Sequence, residues 1–176
     1  MAPAPTPTAR PAGGAPVPWG LPPPFRAPAP AQAAALRRVY DRVDESLAAE
    51  SATCLACGRC CEFRPGGIVL FASALEMACL VAEAGPPAAD RQVAPGAADD
   101  AWRCPYQALP SGAVPTGRCT ARRVRPLGCR TYFCEAAAGE AGERCHDPAF
   151  REIRAIAGPG AWWYGPTRAY LAAWGI

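Results

Sequence analysis

The chain has 176 residues, ten cysteines and a formal net charge of +3, a length that suits one ordinary domain with a tail. The weak charge excludes a global field for nucleic acid, and no run approaches the ~18 apolar residues of a membrane span. The opening MAPAPTPTAR lacks a charged region followed by an apolar core, so no secretory leader is expected and the cysteines are placed in a reducing, cytoplasmic setting, where clustered thiols are more often metal ligands than disulfides.

Eleven of the 22 prolines fall in residues 1–30. Proline that dense is incompatible with helix or sheet, so 1–30 reads as a disordered Pro/Ala-rich tail with polyproline II segments. Such a tail is also a ligand type for a proline-binding module. Residues 31–176 are then the domain, with its core motif at 50–135. Leu36, Val39, Tyr40, Val43 and Leu47 make one apolar stripe and predict a helix over 31–52. Ile68–Phe71 is a short apolar run after the Gly66–Gly67 break. Ser73 and Glu76 form a capping box that predicts a helix to about Ala84, ended by Gly85–Pro86. Residues 85–101 read as a connection and 102–119 as an extended excursion, with turns at 110–112 and 115–117. Asp147–Pro148 resembles an N-cap with proline at the first helical position, predicting a helix from there to about Ala157. A last short helix is expected within 166–176.

The most informative string is Cys54–Leu55–Ala56–Cys57–Gly58–Arg59–Cys60–Cys61. A two-residue gap lets a tight loop turn both flanking sulfurs to one point, which is why zinc knuckles and iron–sulfur loops share it. Gly58 relieves crowding at the turn. Neighbouring side chains tend to point apart, so Cys60 and Cys61 are not expected to serve one tetrahedral ion. Cys104, Cys119, Cys129 and Cys134 form a second group. Eight thiols suit two zinc sites of four thiolates, or one four-iron cluster with thiols to spare.

Together the C-x2-C-x2-C-C string, Cys104–Pro105–Tyr106, Gly117–Arg118–Cys119, Arg125–Pro126–Leu127–Gly128–Cys129–Arg130 and Phe133–Cys134 resemble the YkgJ-type cysteine-cluster family, a zinc- or iron-chelating domain. The resemblance covers roughly residues 50–135. It implies metal ligation by Cys54, Cys57, Cys60, Cys61, Cys104, Cys119, Cys129 and Cys134, accompanied by Arg125, Pro126 and Arg130. It supplies neither a particular metal nor a reaction.

Cys79 lies on the 73–84 helix, outside this spacing, and is expected to be buried like a small apolar residue. Cys145–His146 is a further ligand candidate, although a surface histidine is the commoner meaning of such a pair. Arg59, Arg118, Arg122, Arg123, Arg125 and Arg130 lie close to cysteines in the sequence. A divalent ion with four thiolates carries net charge −2, and nearby guanidiniums offset it. Arg125 and Arg130 are expected to act in this way. Trp162, Trp163, Tyr164, Tyr170 and Trp174 are expected to pack over the cluster domain. No phosphate loop, dinucleotide fingerprint or HExxH is present, and no catalytic activity of its own is expected.

The sequence therefore predicts a small, mainly α, irregular, metal-stapled cysteine-cluster domain behind a disordered tail. Its expected function is metal binding, with zinc or iron as the ion. An iron–sulfur protein serving electron transfer or a partner enzyme is one alternative, and a zinc-stabilised Arg-rich adaptor is another. The metal ion is the expected partner. A protein partner stays open, and neither nucleic acid nor membrane is expected.

Overall fold

Helix α1 (Pro30–Ala49) forms where the apolar stripe predicts it, and buries Leu36, Val39, Tyr40, Val43 and Leu47. Ala29 leads in with φ −61° and ψ 142°, the extended form that a residue before proline favours. These coordinates come from a computed structural model and describe residues 22–52, 54–55, 58–62, 68–87, 103–108, 118–159 and 162–175.

A single turn of 3₁₀ helix, Arg59–Cys61, follows, then strand β1 (Phe71–Ser73) and helix α2 (Ala74–Ala84). Ser73 caps α2 as its sequence predicts. Its hydroxyl accepts from the Glu76 N–H at 3.3 Å, and the Glu76 carboxylate reaches back to the Ser73 N–H at 2.8 Å. Helix α3 (Leu127–Thr131) is short and was not predicted. Helix α4 (Ala136–Ala157), strand β2 (Tyr164–Pro166) and helix α5 (Thr167–Trp174) complete the chain order. β1 and β2 pair antiparallel, with Ala72 opposite Gly165. The fold is thus mainly helical with a two-stranded sheet.

Two apolar cores meet at α2. The first joins α1 and α4 with Leu75, Cys79 and Leu127; the second joins Met77 and Leu80 with Ala72, Tyr106, Ala121, Tyr170 and Leu171. Tyr170 is fully buried and donates its hydroxyl to the Ala72 carbonyl at 3.1 Å and the Trp163 carbonyl at 3.0 Å. This locks α5 onto the sheet.

Glu76 ties the cores together. Its buried carboxylate accepts from the Tyr40 hydroxyl at 3.1 Å, the Ser73 N–H and hydroxyl at 2.8 Å each, and the Leu127 N–H at 2.7 Å. One side chain therefore fixes α1, the start of α2 and the start of α3.

Two expectations are corrected here. Pro148 does not open a helix; it lies inside the 22 residues of α4. Interior proline costs ~3 kcal/mol, but the stripe Ala138, Ala141, Ala149, Ile153 and Ala157 is buried on both sides of it, and Ile153 alone offsets most of that cost at ~1.5–3 kcal/mol. Second, the tail is not free as far as residue 30. Residues 22–29 run along α5, where the Pro23 carbonyl accepts the Trp174 indole N–H at 2.8 Å and Phe25 meets the Trp174 ring edge-on at 5.2 Å. A proline-rich strand has little backbone entropy left to lose on docking. Residues 1–21 lie outside the described residues. The C-terminal aromatics pack on the domain: Tyr170, Trp163 and Trp174 join the second core, while Trp162 and Tyr164 stack on one another and meet Phe150 of α4 edge-on.

No helix among the described residues is long and apolar enough to cross a membrane.

Candidate metal centre

The site begins at Gly58, whose φ of 76° is the left-handed conformation that glycine adopts without penalty. That turn aims the Gly58 carbonyl inward, where it accepts the Cys61 N–H at 2.9 Å and the Gln107 side-chain amide at 3.2 Å. Cys60 and Cys61 then sit on the 3₁₀ turn. With three residues per turn, neighbours are separated by about 120° rather than the 180° of a strand. Both thiols border one cavity, Cys61 buried and Cys60 partly exposed.

The 102–119 excursion delivers two more sulfurs. Cys104 donates its N–H to the Cys61 carbonyl at 2.8 Å, beside an antiparallel bridge between Glu62 and Arg103. The chain returns with Gln107 bridged to Cys119, the Ala108 N–H on the Arg118 carbonyl at 2.6 Å and the Thr120 N–H on the Tyr106 carbonyl at 2.7 Å. The predicted turns at 110–112 and 115–117 lie outside the described residues. The result places Cys60, Cys61, Cys104 and Cys119 around one cavity. Cys129, carried by α3, borders the same cavity of about 40 Å³, which Leu70, Met77 and Leu80 line with apolar surface.

Protonation follows from this packing. The Cys61 thiol is pushed well up because Cys104, Cys119 and Cys60 share its proton. The same hydrogen bond from Cys61 lowers Cys60 to about 6, with Arg125 and Arg122 contributing against burial. Cys119 falls to about 7 through Cys61, the Ala121 N–H and Arg125. Cys129 is partly accessible as a residue, but its surroundings are dense enough that burial pushes its thiol up.

The remaining expected ligands are placed elsewhere. Cys54 packs at the edge of the first core. It accepts from Arg122 Nη1 at 3.6 Å and Arg125 Nη1 at 3.9 Å, beside a second cavity of about 350 Å³. Cys134 is exposed. Cys57 lies outside the described residues. Pro126 borders the thiol cavity and leads into α3.

The two arginines divide. Arg125 borders both the thiol cavity and the Cys54 cavity, and its buried Nε–H has no acceptor among the described residues. Arg130 does not border the cavity of the thiol quartet, but it lines the Cys54 cavity. It is buried, ion-paired to Asp44, donates Nη2 to the Arg123 carbonyl at 2.7 Å and lies 4.2 Å over the Tyr40 ring. Being next to Cys129 on a helix points it away, toward α1.

Cys79 is buried in the first core, and burial raises its thiol to about 12. Cys145 also packs against that core, while His146 lies 3.5 Å from Asp147 and stacks on Phe150. Neither borders the thiol cavity. Sequence reasoning missed Gln107 and the wider reach of Glu76. The capping box was a signal for part of the Glu76 role; nothing local marked Gln107.

Among the described residues, no three or more His, Cys, Asp or Glu side chains stand as a ready metal-holding group. Cys60, Cys61, Cys104, Cys119 and Cys129 border one cavity without forming such a group. Their chemistry nonetheless fits a thiophilic ion. A tetrahedral zinc with bonds of ~2.3 Å spaces its sulfurs by about 3.8 Å, the scale of a thiol–thiol hydrogen bond. A cation bound in place of the thiol protons would keep the sulfurs together and give Arg125 an anionic neighbour. The chain matches no family model, no curated protein and no solved structure.

Proposed function

We propose that the chain is a metal-binding cysteine-cluster protein that holds zinc or iron through Cys60, Cys61, Cys104 and Cys119, with Cys129 at the edge of the site. The observation that carries this reading is the single cavity that Cys60, Cys61, Cys104, Cys119 and Cys129 border together. It agrees with what the resemblance to the YkgJ-type family implies, and it narrows the eight expected ligands to a quartet. The ion would staple the 58–62 loop to the 103–120 excursion, and Arg122 and Arg125 would balance the thiolate charge. Every cysteine among the described residues is a free thiol, in keeping with a reducing, cytoplasmic setting.

The test is elemental analysis of protein purified without air. Wild type should carry about one metal per chain, Cys61→Ala should lose it and Cys79→Ala should keep it. A brown sample with inorganic sulfide would assign an iron–sulfur centre; a colourless one with zinc, a zinc site. Wild type free of metal, or equal content in both variants, would refute the reading.

A further inference from the structure

The docked proline strand points to a recognition site separate from the thiols. Residues 22–29 cross a face built by Trp174 of α5, Ala74, Leu75 and Ala78 of α2, and Ala157 of α4. Two contacts hold the strand: the Trp174 indole N–H on the Pro23 carbonyl, and the edge of Phe25 on the Trp174 ring. A tryptophan donor reading a carbonyl in a proline run, beside an apolar aromatic wall, is how proline-rich peptides are recognised.

The wall is stiff and its present occupant is loose. Trp174 meets Tyr170 at 5.2 Å, Tyr170 meets Trp163 at 4.4 Å, and the buried Tyr170 hydroxyl is anchored on two carbonyls. Phe25, by contrast, remains 42% exposed, and an open surface pocket lies between the strand and the helices.

We propose that this face is a docking groove for a proline-rich segment of another protein, and that residues 22–28 are a tethered ligand that occupies it in competition. The tether joins α1 directly, so its effective concentration is high, about millimolar for a short linker. A partner binds appreciably only by fitting better or by arriving when the strand lifts. The strand therefore sets a threshold for partner binding.

The experiment uses the full chain and a fluorescent peptide of its own residues 20–30, GLPPPFRAPAP, read by anisotropy. Phe25→Ala, which weakens the tether and leaves the groove, should bind the peptide about 10-fold more tightly than wild type does. Adding Trp174→Phe, which keeps a ring but removes the donor, should weaken that binding about 2- to 10-fold, the loss expected for one hydrogen bond. Should that variant misfold by circular dichroism, the indole N–H resonance of Trp174 in Phe25→Ala gives the same answer by shifting on titration. Absence of binding to Phe25→Ala at millimolar peptide, or an unmoved Trp174 resonance, overturns the proposal. So does a wild-type dimer in sedimentation that Phe25→Ala abolishes, because the occupant would then be a second copy exchanging strands.

Discussion

Glu76→Gln is the sharpest single perturbation of this fold. The substitution keeps size and shape but turns one of the two acceptor atoms into an NH2 donor. Oε1 serves the Tyr40 hydroxyl and the Leu127 N–H; Oε2 serves the Ser73 hydroxyl and the Ser73 N–H. The two hydroxyls can rotate to accept from the new amide, but the two backbone N–H groups cannot. Whichever way the glutamine turns, one buried N–H faces another donor. An unsatisfied buried donor costs ~1–3 kcal/mol, and the bonds that survive lose the ~1 kcal/mol advantage of a charged acceptor. The expected loss is therefore about 2–4 kcal/mol. At ~2–4 °C per kcal/mol for a chain of this length, the melting temperature should fall by about 5–15 °C. Metal-replete protein followed by circular dichroism is the assay. The Leu127 N–H should also lose amide-exchange protection if glutamine places its oxygen on Ser73, loosening α3 and with it Cys129. A variant melting within 1–2 °C of wild type would refute the idea that one carboxylate joins the helices.

Two glycines on α4 should respond oppositely to alanine: at Gly142 an added Cβ would stand 1.9 Å from the Thr131 carbonyl oxygen, whereas at Gly139 it meets nothing within 4 Å. Calorimetry should find Gly142→Ala destabilised by about 1–3 kcal/mol from overpacking and Gly139→Ala stabilised by about 0.5–1 kcal/mol from helix propensity. Lowered pKa values mean that Cys60 and Cys119 stay thiolate as pH falls, reprotonating only through about 6 and about 7. In metal-free reduced protein, iodoacetamide mapped by mass spectrometry should label both at pH 7 well before Cys79, whose thiol lies at about 12; a midpoint near the ordinary ~8.5 for both would be the contrary result. Arg125→Gln should weaken metal retention against a chelator by ~10–100-fold, while Arg130→Gln should lower the melting temperature and leave retention nearly unchanged; the reverse pattern would return Arg130 to the site. Chelating the metal should expose amides in 58–62 and 103–108 to exchange while α1 and α4 stay protected, and uniform loss of protection would show that the first core does not stand alone.

What the sequence displayed was whatever is periodic or local. The α1 stripe, the Ser73–Glu76 box and the burial of Cys79 follow from spacing of residues within one turn or a few. Pro148 misled because the local N-cap pattern Asp–Pro competes with an apolar stripe that runs on both sides of it, and tertiary packing against α1 decided the outcome. The partition of the cysteines was hidden for a different reason. Spacing tells which thiols share a loop, but whether Cys54 joins Cys60 depends on where the excursion 103–120 docks, and that rests on long-range bonds such as the Cys104 N–H to Cys61. Arg130 shows the same limit. Proximity to Cys129 in the chain said nothing of side-chain direction, and a helical step turned it toward Asp44 and Tyr40.

The division into two cores gives the thiol quartet its physical setting. The first core is built from helices whose apolar stripes need no ligand. The second contains few large apolar side chains from the segments around the cysteines: Tyr106 from one and Ala121 from the other, with Cys104 and Cys119 packed beside them. Those segments are anchored instead by backbone bonds to the Cys61 and Tyr106 carbonyls and by Gln107 on Gly58. Ordering a residue costs ~1–2 kcal/mol of backbone entropy, while a net hydrogen bond returns ~0.5–1.5 kcal/mol. Such loops fall short on hydrogen bonds alone, and the sulfur cluster lies where the shortfall is greatest. Arg125 faces both the quartet's cavity and Cys54, while Arg130, five residues on, reaches α1. The segment 125–130 thus links the thiols to the helical core mechanically, with Glu76 fixing its middle through Leu127.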